Sequence, residues 1–308
     1  MRAQIAVYVA LTALALIAPF LGLYPVFLMK LLCFAMFACA FNLLLGFTKM
    51  LSFGHAAYFG ASAYITGWLV TVQGWGTLAG IVGGVAVSML LGLVIGAIAV
   101  RRQGIYFAMI TLALAQVVYF ICLQAQFTGG ENGLQGIPRG GLFGLIGLGE
   151  DRVMYYFVLA CFIAVFVFIR RIVHSPFGQV LKAIRSNEPR AISLGYKVDR
   201  YKLIAFVLSA SLAGLAGSLK ALVLGFATLS DVSQGNSGEV ILMTLLGGSG
   251  TFLGPAIGAN LVVTLQEYLS GLVGSWVSVI IGAIFVVCVL VFRRGFVGEV
   301  ERWFAHRN

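Results

Sequence analysis

The sequence predicts an all-α, polytopic integral membrane protein, and three observations carry that prediction. Hydrophobic residues make up 61% of the 308-residue chain and charged residues only 10%. With a mean hydropathy of +1.03, the chain has too few polar side chains to cover a water-facing surface of ordinary size. Its apolar runs are roughly 17 to 25 residues long, the length of helices that cross a bilayer, whereas a barrel alternates in segments of about ten. The basic residues, finally, sort to one side of the threading that these runs imply.

Charges, glycines and prolines divide the chain into ten runs: 4–22, 25–46, 51–72, 77–100, 104–127, 153–171, 201–224, 238–254, 256–274 and 276–292. The first has the Arg-then-apolar form of a secretory signal, and Ala13-Leu14-Ala15 imitates a cleavage site. Cleavage there would halve the run, so a retained helix is expected. The third and eighth runs contain "LSFGHAAYFG" and "LLGGSGTFLGP", whose glycines and polar residues suit broken or re-entrant segments as well as clean spans. The expectation is therefore eight to ten crossings. No linker or shift in composition divides the chain, which reads as one membrane domain, 1–308, with a periplasmic loop at 128–152 and a cytoplasmic loop at 172–200.

With the N-terminus inside, the cytoplasmic side collects Arg2, Lys49, Arg101, Arg102, Arg170, Arg171, Lys182, Arg185, Arg190, Lys197, Arg200, Lys202, Arg293, Arg294, Arg302 and Arg307, which is 16 of the 20 basic residues. The C-terminus is then cytoplasmic too. Arg139 and Arg152 fall outside beside Glu131, Glu150 and Asp151, while Lys30 and Lys220 fall near the outer ends of helices. Topology and anionic headgroups account for the net charge of +10, so nucleic-acid binding is not implied.

Small residues at Gly80, Gly84, Gly92, Gly96 and in the ladder Gly250, Gly254, Gly258 indicate close helix packing rather than chemistry. The five cysteines, Cys33, Cys39, Cys122, Cys161 and Cys288, are scattered through apolar runs without metal-ligand spacing. His55, His174 and His306 lie in three different settings, and no nucleophile motif is present, so no catalytic constellation appears. "GGSGTFLG" lacks the GK[ST] ending of a phosphate-binding loop and sits among membrane helices. It reads as a helix break facing a polar cavity.

The longest polar stretch is "SPFGQVLKAIRSNEPRAISLGYKVDRYK", residues 175–202. Phe177, Val180, Leu181 and Ile184 repeat at helical spacing, and Glu188-Pro189 marks a break between two short helices. The pattern fits an amphipathic helix-turn-helix outside the membrane. On pattern alone it is either a loop lying on the lipid surface or a docking element for a soluble partner.

Here the chain resembles a known family. "SPFGQVLKAIRSNEPRAISLG" followed by "YKLIAFVLSASLAGLAGSL" is similar to the cytoplasmic coupling segment and next helix of bacterial ATP-binding-cassette importers, specifically the M-type permease subunit of branched-chain amino acid transporters. "LSFGHAAYFGASAY", "GIYFAMITLALAQ", "TGGENGLQGIP" and "LLGGSGTFLGPAIGA" resemble that subunit's other signature segments, in order, over nearly the whole chain. Two departures are local: "FRRGFVG" has Arg293 where the family has a Pro, and "FATLSD" lacks the Pro common after the seventh helix.

The resemblance implies that Glu188, Ala191 and Gly195 form the core of an ATPase-coupling loop, with Phe177, Ile184 and Arg185 on its first helix. It implies a translocation path near the Gly-rich breaks, with Ser52, His55, Tyr58, Thr111, Gly247, Gly248, Gly250 and Glu267 as candidates. His55 equally suits a hydrogen bond to a neighbouring helix. Glu267, deep in an apolar run, would be protonated, paired or turned to a subunit interface. The implied function is a permease of the bacterial inner membrane that imports a small amino acid, by default leucine, isoleucine or valine. Its implied partners are a second homologous permease in a heterodimer, two ATP-binding subunits that carry the ATP and Mg, and an extracytoplasmic binding protein. No cofactor is expected on this chain. The rival reading is an autonomous ion-coupled transporter or channel with Glu267, Lys30 and Lys220 as relay groups, which leaves the coupling-segment resemblance without a role.

Overall fold

The computed structural model describes residues 14–20, 22, 24–142, 146–276, 279–284 and 286. The first and last predicted crossings, the turn at 292–298 and both termini fall largely or wholly outside these residues. Eleven α-helices have both ends among them: α1 (Pro25–Thr48), α2 (His55–Thr71), α3 (Thr77–Ala99), α4 (Ile105–Gln124), α5 (Asp151–His174), α6 (Pro176–Ser186), α7 (Glu188–Ser193), α8 (Val198–Leu224), α9 (Leu229–Val232), α10 (Gln234–Gly247) and α11 (Gly254–Val273). Five of these, α1, α3, α4, α5 and α8, are long and apolar enough to cross a membrane by length and composition. The fold is all-α apart from β1 (Leu134–Gln135), β2 (Gly141–Leu142), β3 (Ile146–Gly147) and β4 (Phe226–Ala227), which pair antiparallel as β1 with β4 and β2 with β3.

Helix boundaries follow local chemistry. Proline stands in the first turn of α1, α6, α7 and α11, where its missing N–H costs nothing. The eighth predicted crossing, 238–254, is not a single span: α10 stops at Gly247 and α11 starts at Gly254. Its 14 residues rise only about 21 Å, short of a hydrocarbon core of about 30 Å. The third run likewise becomes helical only at His55.

The 27-residue α8 is the axis of the bundle and packs against α1, α2 and α3. Every approach is made by small residues. A Cβ on Gly217 would overlap the Phe59 carbonyl, and one on Gly92 would stand 2.6 Å from Ala210 Cβ. Between the closely set backbones, hydroxyls bond across helices: Thr66 to Ser218 at 2.8 Å, Ser88 to the Tyr58 carbonyl at 2.7 Å and Ser209 to the Ala40 carbonyl at 2.5 Å. This is the packing expected where lipid supplies no hydrophobic drive.

One end of the bundle carries the predicted periplasmic loop. Arg139 pairs with Asp151 and donates to the Val223 carbonyl at 2.9 Å, while β1 lies on β4. The missing proline in "FATLSD" is made good locally. Gly225 caps α8 in the left-handed region, and Thr228 and Asp231 form a reciprocal capping box on α9. Asp231 also takes the buried Lys220 ammonium at 2.7 Å.

Candidate functional site: a coupling segment joined to a Gly-rich break

At the other end, Ser175 caps α6 by accepting the Gly178 N–H at 3.3 Å, and Asn187 caps α7 by accepting the Arg190 N–H at 3.1 Å. Leu181 and Ile184 face inward from α6, as the helical spacing predicts. Ile184, Ala191 and Val198 then form a small core of their own, with Val180 and Tyr201 packed against it. Phe177 stacks on Tyr201, ring centroids 5.6 Å apart. Glu188 turns back toward the bundle, accepting from Lys202 at 2.5 Å and from the Gln103 amide at 2.8 Å. Gly195 has φ +86° and nothing within 4 Å of the place where a Cβ would be, so backbone conformation rather than space selects glycine here. Ala191, by contrast, is 2% exposed and serves the segment's own packing. Ile192, Leu194 and Tyr196 are the exposed apolar residues of this segment.

The Gly-rich break lies directly beneath. Gly248 leaves α10 with φ +117° and Gly250 has φ +87°. Thr251 Oγ1 accepts the Gly254 N–H at 3.1 Å and donates to the Gly248 carbonyl at 2.8 Å, turning the chain into α11. A Cβ on Gly247 would overlap the Gly254 carbonyl, so α10 and α11 touch backbone to backbone. Asn42 of α1 clamps the break: its Oδ1 accepts from Gly250 N–H at 2.9 Å, and its Nδ2 donates to the Thr251 carbonyl at 2.8 Å.

The coupling segment and the break are in contact. The Arg185 guanidinium lies over Gly250, 2.9 Å from where a Cβ would stand. His174, which ends α5, stacks on Phe252 with centroids 5.3 Å apart.

A second cluster gathers four of the predicted path residues. Thr111 Oγ1 accepts from the Phe53 N–H at 3.3 Å, and Ser52 Oγ accepts from the Gly54 N–H at 3.4 Å. His55 opens α2 fully buried, its Nε2 2.9 Å from Ser209 Oγ, with Phe37, Phe41, Tyr58 and Phe206 around the ring. This seats His55 as an interhelical bond. Ser52, Tyr58 and Thr111 are also buried. Glu267 stands apart: it pairs with Lys30 of α1 at 2.7 Å and its side chain is 55% exposed. Asn42 was not singled out in the sequence, although a lone amide in the apolar run 25–46 was the available signal.

The family model for the branched-chain amino acid transport system permease component matches residues 25–289. The chain belongs to this family. The high-affinity branched-chain amino acid transport system permease protein LivM of Escherichia coli is 31% identical over 254 residues, 74% of this chain and 59% of that protein. Its counterpart in Salmonella typhimurium is 30% identical over 257 residues, with the same coverage of 74% and 59%. The alignment thus spans about three-fifths of the length of these relatives. A more distant likeness is to the autoinducer 2 import system permease protein LsrC of Salmonella paratyphi B, 25% identical over 219 residues, 67% of this chain and 62% of that protein. No solved structure matches the chain. Family and apolar helices together make this a multi-pass protein of the inner membrane.

Proposed function

We propose that the chain is the membrane-spanning permease subunit of an ATP-driven importer for branched-chain amino acids. It forms the translocation path with a second, homologous permease. Two cytoplasmic ATPase subunits carry ATP and Mg and engage the segment 172–200. An extracytoplasmic binding protein delivers substrate on the side of the 128–152 loop, and both termini are cytoplasmic.

One observation carries this reading: a two-helix unit, its small core closed by Val198 and Tyr201 at the start of α8, joined to a non-helical break between α10 and α11. Because Ile184, Ala191 and Val198 pack on one another, a push on the exposed Ile192 and Leu194 moves the unit as one piece. Arg185 over Gly250 and His174 on Phe252 deliver that push to the break. Irregular backbone at membrane depth is tolerated where it lines a cavity, which suits Gly248 and Gly250 to the path. Tight binding there is unnecessary, since the binding protein supplies affinity and the permease only alternates access.

The test is uptake into proteoliposomes containing this chain, its partner permease, the ATPases and the binding protein. Transport that requires ATP and all four components is the expected result. Uptake by the purified chain under an ion gradient alone would establish the rival mechanism. Orientation is checked by Ser186→Cys in a cysteine-free background: labelling from outside intact cells would reverse the topology.

A further inference from the structure

Between the C-terminus of α1, the N-terminus of α4 and the helices α6 to α8, the described residues enclose a cavity of about 570 Å³. One wall is cationic. Lys49, Arg102, Arg185 and Lys202 contribute four positive groups against one carboxylate, Glu188, and that carboxylate is already taken by Lys202 at 2.5 Å. Among the described residues no carboxylate stands within ion-pairing distance of Lys49, Arg102 or Arg185. Three cations therefore converge without a counterion. The first turn of α4, which has no side-chain cap, also lines the cavity and adds the partial positive charge of a helix N-terminus.

The rest of the lining is apolar: Met50, Leu51, Phe53, Ile105 and Phe107. It continues outward onto Ile105 and Tyr106, which are 70% and 68% exposed, so the cavity opens onto the outer face of the bundle. Thr48, Ile105 and Lys202 belong to the terminal turns of long apolar helices, which sets the cavity at the depth of headgroups rather than of acyl chains. Lys49 is also the one non-glycine residue with positive φ, +59°, among the described residues. Glycine would suit that backbone better.

We infer that this cavity binds the phosphate of an anionic phospholipid, held among Lys49, Arg102 and Arg185, with the acyl chains running out past Ile105 and Tyr106. Cationic pockets between membrane helices on the cytoplasmic side suit such headgroups, and the apolar part of the lining favours a lipid over free phosphate. One anion then ties the end of α1, the α3–α4 turn and the coupling segment together. The inference stands independently of what the chain transports.

The test uses the detergent-purified full chain with phosphatidylglycerol, phosphatidylcholine or inorganic phosphate, read by native mass spectrometry and thermal melting. The wild type is expected to retain one phosphatidylglycerol at about tenfold preference over phosphatidylcholine, and Lys49→Gly with Arg102→Gln to lose that preference. Arg101→Gln, the same charge loss as Arg102→Gln alone but outside the lining, should retain it. Melting without lipid checks the fold of each variant, and Arg102→Gln alone, on an exposed turn, gives the same reading should the double variant melt early. Equal phosphatidylglycerol retention by wild type and variants, or equal retention of both lipids, overturns the inference. Heat protection by inorganic phosphate without any from phosphatidylglycerol overturns the lipid assignment.

Discussion

Asn42→Leu removes the amide that holds the Gly-rich break to α1. The side chain is 3% exposed and makes two bonds, of 2.8 and 2.9 Å, to backbone groups of Thr251 and Gly250. Each net hydrogen bond is worth about 1 kcal/mol, and each buried group left orphaned costs about 1–3 kcal/mol. Leucine, similar in size, fills the space but satisfies neither group; both bonds are only part-buried, which keeps the loss in the lower part of the summed range, about 2–4 kcal/mol of local stability. At roughly 1.4 kcal/mol per factor of ten, the amides of 249–252 should exchange with solvent about 30- to 1000-fold faster. Hydrogen exchange with mass spectrometry on the purified chain reads this peptide by peptide. Peptides from α8 should be unchanged, which separates local release from global destabilisation. Exchange at 249–252 equal to the wild type would refute the reasoning, because it would mean that backbone and Thr251 hold the break without the clamp. Asn42→Asp, which keeps the acceptor and loses the donor, should fall between the two.

Three further outcomes are expected. Gly250→Val places a β-branched side chain at φ +87° against Arg185, so uptake should fall at least about tenfold at matched membrane levels; wild-type uptake would show that the break tolerates side chains. Leu194→Glu, on a residue 69% exposed, should leave melting unchanged and weaken ATPase co-purification, whereas Ala191→Arg should melt the coupling segment itself by disrupting the core around Ile184, as tryptic cleavage near 190 would report. Lys220→Met leaves Asp231 buried without its ion pair and should cost about 3–5 kcal/mol, seen as a lowered melting temperature; adding Asp231→Leu should recover much of the loss.

Sequence reasoning located the two short helices of 175–202 because their signals are local. Amphipathic spacing at Val180, Leu181 and Ile184 and the break at Glu188-Pro189 survive in the structure as α6 and α7. It also located the break between Gly247 and Gly254, since glycine and polar residues inside an apolar run mark it. What it could not supply was partnership. The resemblance placed Ala191 in the core of a coupling loop, and the structure adds that it packs against Ile184 and Val198. Glu267 left three states open, and only the folded chain brings Lys30 to it from 237 residues away. The contact of Arg185 with Gly250 and the clamp from Asn42 join segments far apart in sequence, and no periodicity encodes such meetings.

The two buried lysines of α8 have a consequence for how that helix can move. Lys202 pairs with Glu188 near one membrane face and Lys220 with Asp231 near the other. Eighteen residues separate them, which is five whole turns at 3.6 residues per turn and about 27 Å of rise. Both ammonium groups therefore lie on one longitudinal line, like two teeth of a single key. Rolling the helix about its own axis would pull both from their carboxylates at once, whereas tilting or sliding can spare one while stretching the other. These two ion pairs thus oppose rotation of α8 about its own axis more than they oppose its tilt.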